Sequence, residues 1–131
     1  MPASSYLGEY QTPAPLGPRS QCQVLAAQHG LPATVGASSS VLSNTMATDG
    51  HVGFAVGVTS TQAGAVNVQR YLDTAGTVKQ GGVQTIALTA NTPAVLNFND
   101  GLPAQSFTVQ ITNTSGSTTN LTGLVILLQG G

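Results

Sequence analysis

The residues of this chain that could do chemistry are few, and they are scattered. Its carboxylates are Glu9, Asp49, Asp73 and Asp100, its histidines His29 and His51, its cations Arg19, Arg70 and Lys79, and its only cysteine Cys22. A glycosidase would need two of those carboxylates brought together across the fold, but nothing in their spacing pairs them. Each Asp stands instead in a turn signature, TDGH, LDTAG or NDGL, where a short carboxylate caps backbone N–H groups. Cys22, His29 and His51 have no zinc-ligand spacing. There is no G-x-S-x-G elbow for a serine nucleophile and no glycine-rich phosphate loop of the G-x-x-x-x-G-K-[ST] kind. These residues point away from an enzyme, and no cofactor or metal is expected.

One cluster stands out. GAVNVQRYLDTAGTVKQGG, residues 64–82, holds Arg70, Asp73 and Lys79 beside Tyr71. Arg70 and Asp73 are three positions apart at the end of an expected strand, which suggests an exposed local pair worth about 0–1 kcal/mol. Arg and Tyr are favoured at interfaces, so Arg70 and Tyr71 are candidate partner contacts. The three Phe residues fall on apolar strand faces, which leaves Tyr71 as the exposed aromatic expected of the domain. A sugar platform built on one Tyr is a weak alternative.

The elements that must position these groups read as strands from residue 34 onward. HVGFAVGV (51–58) puts Val52, Phe54, Val56 and Val58 on one face, with Gly53, Ala55 and Gly57 leaving the other nearly bare for close approach of another sheet or chain. AVNVQRYL (65–72), VQTIALTA (83–90), AVLNF (94–98) and the alternation of Phe107, Val109 and Ile111 follow, with Ser39–Met46 a weaker strand. The apolar run Leu124–Leu128 suggests a last strand buried on both faces. DTAG and NDG mark turns between them. Strands at intervals of roughly 8–12 residues without helices predict an all-β fold, an antiparallel β-sandwich of six to eight strands, for which a jelly-roll-like topology is plausible.

Residues 1–33 read differently. They carry Pro2, Pro13, Pro15, Pro18 and Pro32, and proline spacing of this kind favours extended polyproline-like backbone that lies along another surface. The domain division is therefore an N-terminal arm (1–33) and a sandwich (34–131). Tyr6, Leu7, Tyr10 and Leu16, with Arg19, are the arm's candidate partner-binding residues. QCQVLAAQH (21–29) suggests a short helix ended by Gly30. Cys22 is expected as a small packing residue.

Charged residues make up 5% of the chain and the net charge is −1, against about 25% charged in ordinary soluble domains. Three cations cannot neutralise a phosphate backbone, so nucleic acid is not an expected partner. No apolar run approaches the ~20 residues of a membrane-spanning helix, and no basic amphipathic segment suggests membrane-surface binding. The amino terminus lacks the basic start and apolar core of a secretory signal. Sheet edges are commonly guarded by Lys, inward charges or Pro. Most of the strands expected here lack such guards, which suggests assembly with copies of itself or with a larger shell.

The blocks GVTSTQAGAVNVQRYLDTAGTV and VLNFNDGLPAQSFTVQITNTSGSTTNLTGLVILLQG resemble small β-sandwich proteins encoded among bacteriophage virion genes, over about residues 50–131. The resemblance implies a non-enzymatic virion component at the capsid surface: a capsid decoration, or cement, protein binding the major capsid protein as a homotrimer. The same resemblance leaves open a tail, fibre or host-recognition component. It implies no catalytic motif.

Overall fold

A computed structural model describes residues 21–130 of the chain. The strands are β1 (Gln21–Val24), β2 (Thr34–Val35), β3 (Ser40–Leu42), β4 (Met46–Ala47), β5 (Gly53–Ser60), β6 (Gly64–Tyr71), β7 (Gln84–Leu88), β8 (Pro93–Phe98), β9 (Ser106–Asn113) and β10 (Thr119–Gln129). Every pairing is antiparallel. One sheet runs β8-β5-β10-β1 with β2 beside β10; the other runs β3-β9-β6-β7 with β4 beside β9.

Let β3 and β4 count as one broken strand and β2 as a side piece. Eight strands numbered in chain order then form sheets 1-8-3-6 and 2-7-4-5, the strand order of a jelly roll. Among the described residues the strand number thus depends on how the short pieces are counted: ten segments, seven of them four residues or longer. The antiparallel sandwich expected from the sequence is the fold observed.

Period-two alternation explains why these segments pair as they do. Phe54, Val56 and Val58 of β5, Val66 and Val68 of β6, Phe107, Val109 and Ile111 of β9, and Ile126 and Leu128 of β10 all point between the sheets and are buried. Three aromatic rings from different strands stack there: Phe54 lies 4.5 Å from Phe98 and 4.0 Å from Phe107, centroid to centroid. Rings at such separations add attraction beyond their buried area.

Five expectations are corrected. Residues 21–33 belong to the sandwich and not to an arm: β1 pairs with Ile126–Gln129, and Ala26 and Leu31 are core residues. The expected helix over 21–29 is a strand followed by one 3-10 turn, Ala26–His29, which Gly30 ends in the left-handed region at φ 83°. The ladder offered by β10 outweighs a weak local helix preference. Cys22 is exposed on the edge strand β1 and does not pack in the core. Finally, β10 is not buried on both faces: Val125 is 37% exposed. A bulge at Thr122–Val125, with Gly123 at φ 61°, shifts the register there. Val52, expected in phase with Phe54, precedes β5 and is 56% exposed.

Candidate functional site

The charged hairpin of residues 64–82 forms as a turn-stabilised structure, but with its charges differently assigned. After β6, the Asp73 carboxylate accepts the backbone N–H of Thr77 at 2.9 Å and of Val78 at 3.0 Å, and also the Thr77 hydroxyl. These bonds, the Thr77 hydroxyl first, hold its pKa below the usual carboxylate value. Leu72 N–H then donates to Val78 O and Gln80 N–H to Arg70 O, so that Lys79 bridges opposite Tyr71. Gly76 sits at φ 74°, and a Cβ there would come within 2.9 Å of Thr45 Oγ1. The turn-former role expected for Asp73 is observed.

Arg70 is the correction. It is 6% exposed and does not pair with Asp73. Its position shares the parity of Val66 and Val68, so β6 aims it between the sheets at the open end of the core. There the guanidinium lies 4.8 Å from the centroid of the Phe98 ring and reaches Asp100 through two parallel bonds: Nη1 to Oδ1 and Nη2 to Oδ2, both 2.9 Å. The Arg70 hydrogen bond chiefly depresses the Asp100 carboxyl, to about 2. Asp100 also accepts the N–H of Leu102 at 3.1 Å, holding the β8–β9 loop. A bidentate Arg–carboxylate pair with a ring beneath it is a positioning device. Arg70 therefore offers no exposed contact. The signal that could have found this was the parity 66, 68, 70; what no local spacing shows is a partner thirty residues away.

Tyr71, of opposite parity, points outward and is half-buried. With Asn67, Gln69, Lys79, Thr108 and Gln110 it lines a shallow depression on the outer face of the second sheet. The amides there are tied to the scaffold: Asn67 donates to Gln110 Oε1 at 3.2 Å, Thr85 to Asn67 at 2.7 Å, and Gln69 to the carbonyls of Arg70 and Gly81.

His51 closes the turn Thr48–His51, in which Asp49 and Gly50 both have positive φ, 50° and 79°, and its Nδ1 lies 2.7 Å from Thr48 O. The cleft it borders is walled by Val52, Leu72, Leu102, Pro103, Ala104 and Gln105, without a carboxylate side chain among its lining. Among the described residues no group of three or more His, Cys, Asp or Glu could hold a metal ion. Asn113, in an N-x-S/T pattern, is 1% exposed, and its amide donates to the carbonyls of Val35, Gly36 and Ser117. Of the other partner-binding candidates, Tyr6, Leu7, Tyr10, Leu16 and Arg19 lie outside the described residues.

A second surface was only half legible in the sequence. On the outer face of the first sheet, Val95, Gly57 and Val125 form one cross-strand row, since Gly57 pairs with Val95 on one side and Val125 on the other. Ala55 and Leu127 form the next row. Val95 is 52% and Val125 37% exposed, and no charged residue stands in either row. The bare side of Gly53, Ala55 and Gly57 was visible in advance; its apolar neighbours from β8 and β10 depend on register.

No protein family matches the chain, and no curated protein matches it. Among solved structures it is similar to a family 6 carbohydrate-binding module, known from a crystallographic and calorimetric dissection of its binding sub-sites. The two share 9% identity, the alignment covers 87% of this chain and 95% of that one, and the TM-score is 0.45.

Proposed function

We propose that this protein is a non-enzymatic viral structural protein, a capsid decoration protein that self-associates, as a homotrimer, and binds the major capsid protein on the outer shell. The observation that supports this reading best is the uncharged outer face of the first sheet, where Val95, Gly57 and Val125 lie in register with small neighbours. A face of this kind gains by being covered, through apolar burial and close backbone approach. The sheet edges add to it. Strands β1, β3 and β7 carry no charged residue, and among these edge segments only β8, which starts at Pro93, has a common guard.

The charges that do exist support the same reading, because Asp73, Arg70 and Asp100 are committed to holding the hairpin and the β8–β9 loop. Tyr71 and the arm residues Tyr6, Leu7, Tyr10, Leu16 and Arg19 supply further contacts to the shell. Binding at junctions between capsomers stabilises the assembled state by mass action, about 2.7 kcal/mol per site at a concentration one hundred times Kd. The test is assembly of Val95→Lys and Val125→Lys variants. Both positions are solvent-facing, so the variants fold with unchanged far-UV circular dichroism, and they lose cosedimentation with capsids that the parent protein shows. Variants that still cosediment as the parent does would remove this face from the account.

A further inference from the structure

The cleft beside His51 is lined by three strongly exposed apolar residues from three different loops, Val52, Leu72 and Leu102, at 56%, 46% and 52% exposure. Pro103 and Ala104 complete an apolar wall around a volume of about 440 Å³. It is separate from the sheet face proposed above and lies at the end of the sandwich, where β5 begins and β6 and β8 end.

The chain enters the sandwich at that same end. Gln21, the first residue of β1, pairs with Gln129, which pairs in turn with Gly53; Val52 N–H donates to Gln129 O at 3.0 Å. Gln21 is therefore two strands from Gly53, about 10 Å at ordinary strand spacing. Twenty residues precede Gln21. Leu16, five positions upstream, can stand up to roughly 17 Å from it in extended backbone, enough to reach the cleft. Pro13, Pro15 and Pro18 lack backbone N–H groups, so this segment gains little from a strand partner.

We propose that in the unassembled protein the segment around Leu16, with Tyr10 upstream of it, occupies the Val52/Leu72/Leu102 cleft of its own chain. The short tether favours its own chain over a second copy, because it holds Leu16 at high effective concentration beside the cleft. The inference does not rest on the capsid reading, since cleft and chain exit are properties of the single molecule. In the capsid reading, docking on the shell would exchange one apolar partner for another.

Full-length variants test it. In a Cys22→Ser background, Gly17→Cys with Gln105→Cys brings two thiols to the tether and the cleft wall without removing the apolar lining. Mild oxidation is expected to give a monomeric cross-linked species, whereas Gly17→Cys with Thr118→Cys, at the far end of the sandwich, gives none. Separately, the Gln105→Cys thiol alone is expected to label about tenfold faster when Leu16→Asp is added, the change for a segment docked about nine-tenths of the time. Cross-linking only to dimers would assign the cleft to a second copy. No cross-link, or a labelling rate indifferent to Leu16→Asp, would overturn the proposal.

Discussion

Replacing Asp100 by asparagine removes the charge that answers Arg70 while keeping the shape of the turn. The Arg70 side chain is 7% exposed and that of Asp100 46%. Stranding one member of a fully buried ion pair costs about 3–5 kcal/mol. Here half of Asp100 faces water, which screens the pair, so the loss is discounted to roughly 1–3 kcal/mol. Arg70→Met removes the buried cation itself, fills its place over Phe98 with a flexible apolar chain, and leaves Asp100 hydrated; its cost is expected below about 1 kcal/mol. In the double variant Asp100→Asn should then add less than about 0.5 kcal/mol, because nothing buried is left unpaired. Urea unfolding at pH 7 reads the cycle, and at about 3–6 °C per kcal/mol the Asp100→Asn loss is also visible in Tm.

The same pair sets an acid limb. The folded carboxyl, at about 2, lies below its ordinary 3.8, so its contribution is present above pH 3.8 and is lost as pH falls toward 2. Asp73, lowered in the same direction, adds to that limb. Stability of the parent should therefore fall between about pH 5 and pH 2, and Asp100→Asn should flatten part of the fall. If Arg70→Met proves more costly than Asp100→Asn, or if the double-variant cycle shows no coupling, the reasoning about a buried guanidinium answered by a half-exposed carboxylate is wrong.

Other outcomes follow from single positions. Gly76→Ala should cost about 1–2 kcal/mol in urea unfolding, because it strains a positive φ and presses on Thr45, whereas Gly116→Ala, with open space around it, should be near neutral. The native protein should titrate one thiol with a small disulfide reagent without denaturant, since Cys22 is exposed; a thiol that reacts only after unfolding would contradict the edge position of β1.

Much of the sandwich was legible because inward residues repeat at a period of two. Phe107, Val109 and Ile111, or Val66 and Val68, declare a strand and its buried face without any knowledge of partners. What that pattern could not supply was the environment at a strand's end. The sequence sets Arg70 beside Asp73, three positions on, but its parity with Val68 is the better guide; the partner, Asp100, is brought close only by the crossing of β6 and β8 between sheets. QCQVLAAQH carries a weak local helix preference, which the ladder offered by β10 overrides. The outer row of Val95, Gly57 and Val125 needed two registers that no single segment encodes.

The central claim is that this sandwich sits on a capsid shell as a symmetric oligomer. The most direct measurement is a single-particle reconstruction of bacteriophage capsids after incubation with the purified protein. The account predicts three-fold density at capsomer junctions, with β5, β8 and β10 turned toward the covered surface. Bare capsids beside a protein that remains monomeric in solution would contradict it.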